Sequence, residues 1–237
     1  IEGAGKRLAE LTGAEWGCVT GGAASAIYAA SAAAVCGEDA AKMAKIPDTS
    51  GMKNEAIIPK THYLSYFDAA CRMVGLKLIQ VDSRAELESA INDRTAIVYV
   101  VGELAKPGYP SHGNLKYTDI IDVSKKRRVP VLVDAAAEEP SSPDDYIVTG
   151  ADLVCYSGGK CLRGPQSDGI LIGRRDLCRA AARNLSPHEG IGRTQKVSKE
   201  EIVAVLTALD LWLHGRDHKA EYREWERMLI FIGDRTT

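Results

Sequence analysis

The sequence predicts an α/β protein in which helices cover both faces of a mostly parallel β-sheet. Short β-rich runs alternate with amphipathic stretches along most of the chain. The stretches between the runs are long enough for the helical crossovers that parallel strands need. Some runs, such as VPVLVD at 129–134, are apolar almost throughout, which is typical of a strand buried on both faces.

The elements follow one another in a regular order. Strands are predicted at 16–20, 55–60, 76–81, 95–101, 129–134, 151–157 and 169–173. Helices are predicted at 21–37, around 64–74, at 83–92, at 116–128 and from 198 onward. A Ser-x-x-Glu pattern identifies two helix starts, at Ser83 with Glu86 and at Ser198 with Glu201. We expect a three-layer α/β/α large domain over 1–195 and a helical segment over 196–237.

Composition restricts the class of protein. The chain has 237 residues, of which 45% are hydrophobic and 26% charged, and its net charge is −2, so no basic field favours nucleic acid or an anionic membrane. No apolar run approaches the roughly 18–20 residues of a spanning helix. The six cysteines form no CxxC pair and fit the reduced thiols of a cytoplasmic protein. Because the chain starts at Ile1 within a helical pattern, we expect a fragment or a processed chain.

Two features at strand ends are candidates for binding. Gly21 and Gly22 stand between a strand and a helix, where backbone N–H groups and the helix dipole favour a phosphate, although the pair could simply form the turn. Asp134 ends an apolar strand, where a poorly solvated carboxylate needs a cationic partner. It could pair with a protonated heterocycle or cap the next turn. A metal is disfavoured, because no second ligand lies at a useful spacing.

The stretch YSGGKCLRGPQSDGILIG, residues 156–173, places Lys160 after two glycines and Ser157 three residues before it. Lys160 could be an exposed turn residue or could be aimed at a cofactor. The chain order of phosphate cradle, strand-end Asp134 and loop Lys160 is what pyridoxal 5′-phosphate requires. The lysine would form a Schiff base with the aldehyde, the aspartate would keep the pyridine nitrogen protonated, and the cradle would bind the phosphate.

These residues carry a family resemblance. The chain resembles fold-type I pyridoxal-phosphate enzymes, and specifically the L-seryl-tRNA(Sec) selenium transferase family with its small-molecule branch, which includes D-glucosaminate-6-phosphate ammonia-lyase. The resemblance extends over most of the chain, and SGGK with RGPQ is its most specific part. Where the transferase has NNNAAA and SGDK, this chain has GGAASA and SGGK, which favours the small-molecule branch. We expect the family's N-terminal segment and small C-terminal domain to be missing here, in agreement with a fragment.

The resemblance implies roles for individual residues. It makes Lys160 the Schiff-base lysine and Asp134 the pyridinium partner. The residues that it implies for the phosphate are Gly21, Gly22, Ala23 and Ser157. His62, with Tyr63 behind it, is the candidate to stack on the cofactor ring, against the alternative of an exposed loop histidine. Arg163, Gln166 and Arg193 are candidates to bind a substrate carboxylate or phosphate, within one chain or across a dimer interface, against the alternative that the arginines are only solvated.

Together these observations predict a pyridoxal-phosphate-dependent lyase acting on a small amino compound, with Lys160 as general base at the α-carbon. A homodimer or larger homo-oligomer is implied by the resemblance. Two alternatives remain open: a transferase that moves selenium or sulfur onto seryl-tRNA, which the absence of a basic arm disfavours, and an inactive relative that serves as a binding protein. Retention of Asp134, Ser157 and Lys160 argues against the second alternative.

Overall fold

The computed structural model describes residues 1–63, 68–102 and 114–236. Within them, the seven strands are β1 (Trp16–Thr20), β2 (Glu55–Pro59), β3 (Lys77–Val81), β4 (Thr95–Val101), β5 (Val131–Asp134), β6 (Leu153–Ser157) and β7 (Gly169–Gly173). The α-helices are α1 (Glu2–Thr12), α2 (Ala23–Cys36), α3 (Ala40–Lys45), α4 (Ala69–Met73), α5 (Arg84–Ala90), α6 (Tyr117–Arg127), α7 (Asp145–Val148), α8 (Arg175–Arg183), α9 (Lys199–Asp210) and α10 (His218–Thr236).

All seven strands form one sheet in the order β1-β7-β6-β5-β4-β2-β3. Strands β2 to β6 pair in parallel, and β7 runs antiparallel to both of its neighbours, β1 and β6. The carboxyl ends of β5 and β6 therefore lie side by side, with Asp134 opposite Cys155 in the register. In a parallel sheet this edge is where ligands bind, so the topology places the loops after β5 and β6 together.

Two apolar layers enclose the sheet, so the predicted three-layer α/β/α class is confirmed. Alternate residues of one strand point into different layers: Ile58 packs in the layer that contains α2, whereas Ile57 packs in the layer that contains α1. Helix α2 is the central element of its layer, with eleven of its fourteen residues buried. Its alanine-rich sequence suits this position because small side chains allow close packing against the sheet.

Local signals in the sequence set several helix ends. The Ser198 hydroxyl accepts a hydrogen bond from the Glu201 backbone N–H at 3.1 Å, and the Glu201 carboxylate accepts one from the Ser198 N–H at 2.7 Å, which completes the predicted capping box. Ser83 caps α5 in the same way, through the Glu86 N–H. Helix α1 ends at Gly13, whose φ of 72° is the left-handed conformation that glycine adopts without strain.

The C-terminal helices differ in how they pack. Helix α9 contributes Val205 and Leu209 to the layer that contains α1, and both side chains are fully buried. Helix α10 buries no residue. The predicted division of the chain at 195/196 stays a prediction. Helix α9 packs on the large domain, and α10 contacts it through the ion pair of Glu221 with Arg163.

Within the described ranges, no helix combines the length and the apolar character that crossing a membrane requires. All six cysteines are free thiols. Five of them are buried, and burial raises the pKa of Cys18 to about 12 and that of Cys71 to about 11. These thiols therefore remain protonated at neutral pH and behave as small apolar side chains.

Candidate active site

A cavity of about 600 Å³ opens at the carboxyl ends of the central strands. Its walls come from the start of α2, from α4, from the end of β4 and from the loops after β5 and β6. Six of the residues predicted for cofactor binding line it: Gly21, Gly22, Ala23, Asp134, Ser157 and Lys160. The structure thus brings together residues that are as much as 139 positions apart in the sequence, from Gly21 to Lys160.

The turn that connects β1 to α2 forms one wall of the cavity. Gly22 has φ 86°, a conformation that is strained for any residue with a side chain, and it directly precedes the first helical residue, Ala23. The Thr20 hydroxyl donates to the Gly22 carbonyl at 2.9 Å and fixes the turn. No side chain caps the helix, and the Ser25 hydroxyl is buried without a hydrogen-bond partner among the described residues. A helix start with these properties suits a phosphate.

Three donors orient the Asp134 carboxylate at the end of β5. The Tyr99 hydroxyl donates to Oδ2 at 2.8 Å, and the Ala136 backbone N–H donates to Oδ1 at 3.1 Å. The Cys155 thiol contacts Oδ1 at 3.7 Å. Burial and the adjacent carboxylate raise the pKa of both Tyr99 and Cys155, so both remain protonated and able to donate. Asp134 is 8% exposed, and it lines the cavity.

Lys160 lies in a tight turn after β6. The turn is closed by two short hydrogen bonds, from the Gly164 N–H to the Gly158 carbonyl and from the Gly158 N–H to the Asp168 carbonyl, both at 2.7 Å. Side-chain packing explains the glycines: a Cβ on Gly159 would lie 2.6 Å from the Gln166 Cα. A side chain at Gly159 would therefore displace Gln166. Lys160 itself is exposed and contributes to the wall of the cavity.

His62 ends a 3₁₀ turn, Lys60–His62, that follows β2. It is 6% exposed, so it is not a solvated loop histidine. The Val101 backbone N–H lies 3.3 Å from its Nδ1, which places the ring beside a residue that lines the cavity. Tyr63 is 39% exposed. Stacking of His62 on a ligand ring stays a prediction, and the four residues after Tyr63 lie outside the described part of the chain.

The aminotransferase class-V family model matches residues 39–207, which is more than half of the chain. The match contains Asp134, Ser157 and Lys160, and the described fold contains them at one edge of the sheet.

The chain belongs to the aminotransferase class-V family.

Curated relatives of this class-V chain include two enzymes that match it almost from end to end. It is 35% identical over 225 residues to D-glucosaminate-6-phosphate ammonia lyase from Salmonella typhimurium, covering 91% of the chain and 58% of the relative. It is 33% identical over 240 residues to 5′-C-glycyluridine monooxygenase-decarboxylase from a Streptomyces species, covering 96% of the chain and 57% of the relative. The chain thus spans a little over half the length of these relatives.

More distant similarity extends to the family named by the sequence resemblance. The L-seryl-tRNA(Sec) selenium transferase from Proteus mirabilis is 28% identical over 222 residues, covering 86% of the chain and 44% of that protein. Among solved structures, D-glucosaminate-6-phosphate ammonia-lyase matches with a TM-score of 0.80 and 34% identity, over 90% of the chain and 57% of that structure. The predicted resemblance is therefore confirmed.

The cofactor of this class-V chain is pyridoxal 5′-phosphate, as the resemblance implied, and the residues of the cavity fit it. Asp134 lines the cavity with a carboxylate, and a carboxylate is the anionic partner that a protonated ring nitrogen needs. The uncapped start of α2 and the partnerless Ser25 hydroxyl suit the phosphate. Lys160 supplies an amine on the same cavity wall. Within the described residues, no group of His, Cys, Asp and Glu side chains is arranged to hold a metal ion.

The three predicted substrate residues lie outside the lining of this cavity within one chain. Arg163 forms an ion pair with Glu221 at 3.1 Å, and its guanidinium stacks over the Trp225 ring at 5.0 Å, so it ties the lysine turn to α10. Arg193 donates to the Ser186 hydroxyl at 3.1 Å. Gln166 packs against Gly159. Their contact with a substrate stays a prediction that needs a second chain.

Several polar residues of the cavity were not predicted from the sequence, among them Ser25, Gln195 and Glu138. Gln195 lines it, and the Gln195 Oε1 is buried without a hydrogen-bond partner among the described residues. The residue lies in the stretch IGRTQKVSKEE that carries the resemblance, but no spacing pattern singles it out. Glu138 also lines the cavity, although its place in the loop after β5 does not single it out in the sequence.

Gly169→Ala is expected to displace the phosphate cradle. A Cβ at this position would lie 2.5 Å from the Gly22 carbonyl carbon and 2.7 Å from the Ala23 nitrogen, so the peptide between them must move. Overpacking of this kind costs about 1–3 kcal/mol. We expect a lower melting temperature and about tenfold weaker cofactor binding, measured by fluorescence titration. Gly3→Ala is the control, because nothing lies within 4 Å of its Cβ; equal cofactor affinity in both variants would contradict the assigned cradle.

Asp168→Asn is expected to stabilise the protein at neutral pH. Asp168 is 1% exposed, and neither of its carboxylate oxygens has a hydrogen-bond partner in the described part of the chain. Burial, with a smaller contribution from Glu201, raises the pKa of Asp168 to about 6. Because the unfolded chain ionises at lower pH, the folded state loses stability as pH rises toward 6. The variant should melt higher than the wild type at pH 7.5, with a smaller difference at pH 4.5; a gain independent of pH would contradict this assignment.

Proposed function

We propose that this chain forms the cofactor site of a pyridoxal-phosphate-dependent lyase that removes ammonia from a small amino acid or amino sugar acid by α,β-elimination. The observation that carries the proposal is the meeting of Lys160, Asp134 and the glycine cradle in one cavity. The similarity to D-glucosaminate-6-phosphate ammonia lyase supports an amino sugar acid as the substrate class.

Different residues of the chain would bind different parts of the cofactor. When bound, the cofactor supplies an electron sink for the carbon that carries the substrate amine. Asp134 would pair with the protonated ring nitrogen and so keep the ring able to accept electrons. Gly21, Gly22, Ala23 and Ser157 would hold the phosphate, and His62 would cover the ring.

Lys160 would have two tasks in sequence. Its amine would hold the cofactor and, once free, would accept the proton from the α-carbon of the substrate. The Cβ–O bond would then break, and the β-hydroxyl would leave as water with the proton that Lys160 has accepted. Water finally adds to the released product, which yields a 2-keto acid and ammonia. The elimination and the hydrolysis together require neither an oxidant nor a reductant.

The proposal is tested by incubating the cofactor-loaded protein with D-glucosaminate 6-phosphate and assaying ammonia and 2-keto acid together. We expect the two products in equal amounts. Turnover of seryl-tRNA with a selenium donor, and none of the amino sugar acid, would instead support the transferase alternative, toward which the 28% identity points. Oxygen uptake with release of carbon dioxide would also contradict the proposal. A loaded protein without any turnover would favour the inactive binding protein.

The assembly and the location of the protein form part of the proposal. A homodimer would allow Arg163, Gln166 or Arg193 of one chain to reach the substrate in the site of another. Free thiols at all six cysteines agree with a cytoplasmic location. Light scattering of the loaded protein tests the dimer directly, and a monomer that retains turnover would contradict it.

A further inference from the structure

Arg163 has a backbone conformation that is unusual for its residue type. It lies three residues after Lys160, and its φ is 54°, in the left-handed region that glycine tolerates best. Its backbone N–H donates to the Lys160 carbonyl at 3.0 Å, so this residue closes the turn that carries Lys160. A strained residue persists only where its surroundings hold it, and such residues concentrate at functional sites. The contacts that hold Arg163 therefore bear on the position of Lys160.

Helix α10 holds the Arg163 side chain through two contacts. The guanidinium forms an ion pair with Glu221 at 3.1 Å, and it lies over the Trp225 ring, 5.0 Å from the ring centroid. Glu221 and Trp225 are four positions apart, so they are neighbours on one face of the helix. The Trp225 ring also contacts the Tyr222 ring edge to face, with centroids 5.3 Å apart. The Arg163 side chain is thus bound along one face of α10.

The beginning of α10 also contacts the loop that follows Asp134. The Tyr222 hydroxyl donates to the Glu139 carboxylate. Just before α10, the buried Trp212 donates from its indole N–H to the Pro140 carbonyl at 3.1 Å. Helix α10 therefore connects the loop after β5 with the lysine turn after β6.

The position of the Lys160 amine depends on the backbone of its turn. Lys160 is exposed, so packing does not fix its side chain. Leu162 is 1% exposed and anchors one side of the turn in the apolar core. Loss of the contact between Arg163 and α10 should therefore loosen the turn rather than unfold it.

We propose that Arg163 is a positioning residue for Lys160. Glu221 and Trp225 hold its side chain, and its backbone fixes the turn so that the Lys160 amine meets the cofactor aldehyde. The inference rests on the proposed function, because it takes Lys160 as the residue to which the cofactor attaches. It gives Arg163 a task within its own chain, in place of contact with a substrate.

The test measures how fast the cofactor attaches to Lys160, with no substrate present. Apoprotein is mixed with saturating pyridoxal 5′-phosphate, and the growth of the visible absorption band that borohydride removes is followed by stopped flow. A residue that only binds substrate would not change this rate. Because glycine adopts a φ of 54° without strain, Arg163→Gly removes the side chain and keeps the turn conformation.

We expect Arg163→Gly to slow the attachment about threefold to tenfold. An exposed ion pair and an exposed cation–π contact are each weak, and together they correspond to about such a factor. Loosening the turn lowers the fraction of molecules in which Lys160 is placed to react. The melting temperature should not fall, since the variant also relieves backbone strain.

Arg128→Gly is the matched control. Arg128 is also an exposed arginine with a positive φ, 56°, but it lies at the end of α6 and is absent from the lining of the cofactor cavity. Both glycine variants relieve the same kind of backbone strain, so the difference between them reports on the Arg163 side chain. We expect Arg128→Gly to attach the cofactor at the wild-type rate.

A second substitution tests the link through α10. Trp225→Ala removes the stacked ring from an exposed helical position and should slow the attachment about threefold. Combined with Arg163→Gly, it should slow the attachment no further, because two groups that act through one contact are not additive. Effects that multiply in the combined variant would overturn the link to α10. If Arg163→Gly does not fold, a wild-type rate in Trp225→Ala overturns the inference by itself.

The outcomes separate this inference from the proposed function. A wild type that never forms the band, or forms it at a different lysine, overturns both. If the wild type attaches the cofactor at Lys160 and Arg163→Gly is equally fast, the role of Arg163 is overturned while the lyase proposal stands. The same holds if Arg128→Gly is slowed as much as Arg163→Gly.

Discussion

Replacing Lys160 by alanine is expected to abolish covalent retention of pyridoxal 5′-phosphate and to lower the rate of ammonia release by about a thousandfold. Among the described residues, Lys160 is the lysine that lines the cavity together with Asp134 and the cradle. The variant removes both the group that holds the cofactor and the general base, and general bases contribute roughly 10²–10⁴ to a rate. Because Lys160 is exposed in a turn, we expect the fold and the melting temperature to be unchanged.

The measurement is steady-state ammonia release by variant and wild type at saturating cofactor. Lys199→Ala is the control, since Lys199 is an exposed lysine at the start of α9 and does not line the cofactor cavity. A small primary amine added to the Lys160→Ala protein should restore part of the rate, because it can take up the lost proton. Activity retained without such an amine would show that another group is the base.

Asp134→Asn is expected to weaken cofactor binding about a hundredfold or more and to suppress turnover further. Removing one member of a buried charge pair costs about 3–5 kcal/mol, and each 1.4 kcal/mol is a factor of ten. Asparagine has nearly the same shape, but its one carbonyl oxygen can accept from Tyr99 or from Ala136 and not from both, so the loss combines the charge with one hydrogen bond. The cofactor dissociation constant is measured by equilibrium titration of the apoprotein.

Two control variants test whether the effect comes from the charge of Asp134. Tyr99→Phe leaves the Asp134 carboxylate in place and removes one of its donors, so we expect an effect of only about tenfold. Asp93→Asn, at an exposed position after α5, should change neither the affinity nor the rate. If Asp134→Asn binds the cofactor as tightly as the wild type, the pairing of Asp134 with the ring nitrogen is wrong.

Much of the fold could be predicted because its signals are local. The β-rich runs end where Gly, Pro and polar residues stand, so the strands at 16–20, 95–101 and 169–173 are confirmed to the residue. The reversed direction of β7 could not be predicted, because pairing with β1 joins segments about 150 residues apart. The short helix α7 was missed as well, since four residues carry too little periodicity to stand out.

The candidate site was predictable where chain order and chemistry coincide. Asp134 and Lys160 follow adjacent strands, and parallel neighbours place their carboxyl ends at one edge of the sheet. Glu138 and Gln195 escaped prediction because their significance depends on which cavity the loops enclose. The tight packing at Gly159 could not be predicted either, since the approach of Gln166 to Gly159 appears only in three dimensions.

The central claim is that Lys160 is the residue to which pyridoxal 5′-phosphate attaches, and mass spectrometry of the reduced protein tests it most directly. The loaded protein is treated with borohydride, digested and mapped peptide by peptide. We predict that one peptide, the one that contains Lys160, gains the mass of the reduced cofactor. A protein that gains this mass at a different lysine, or at none while retaining activity, would contradict the account.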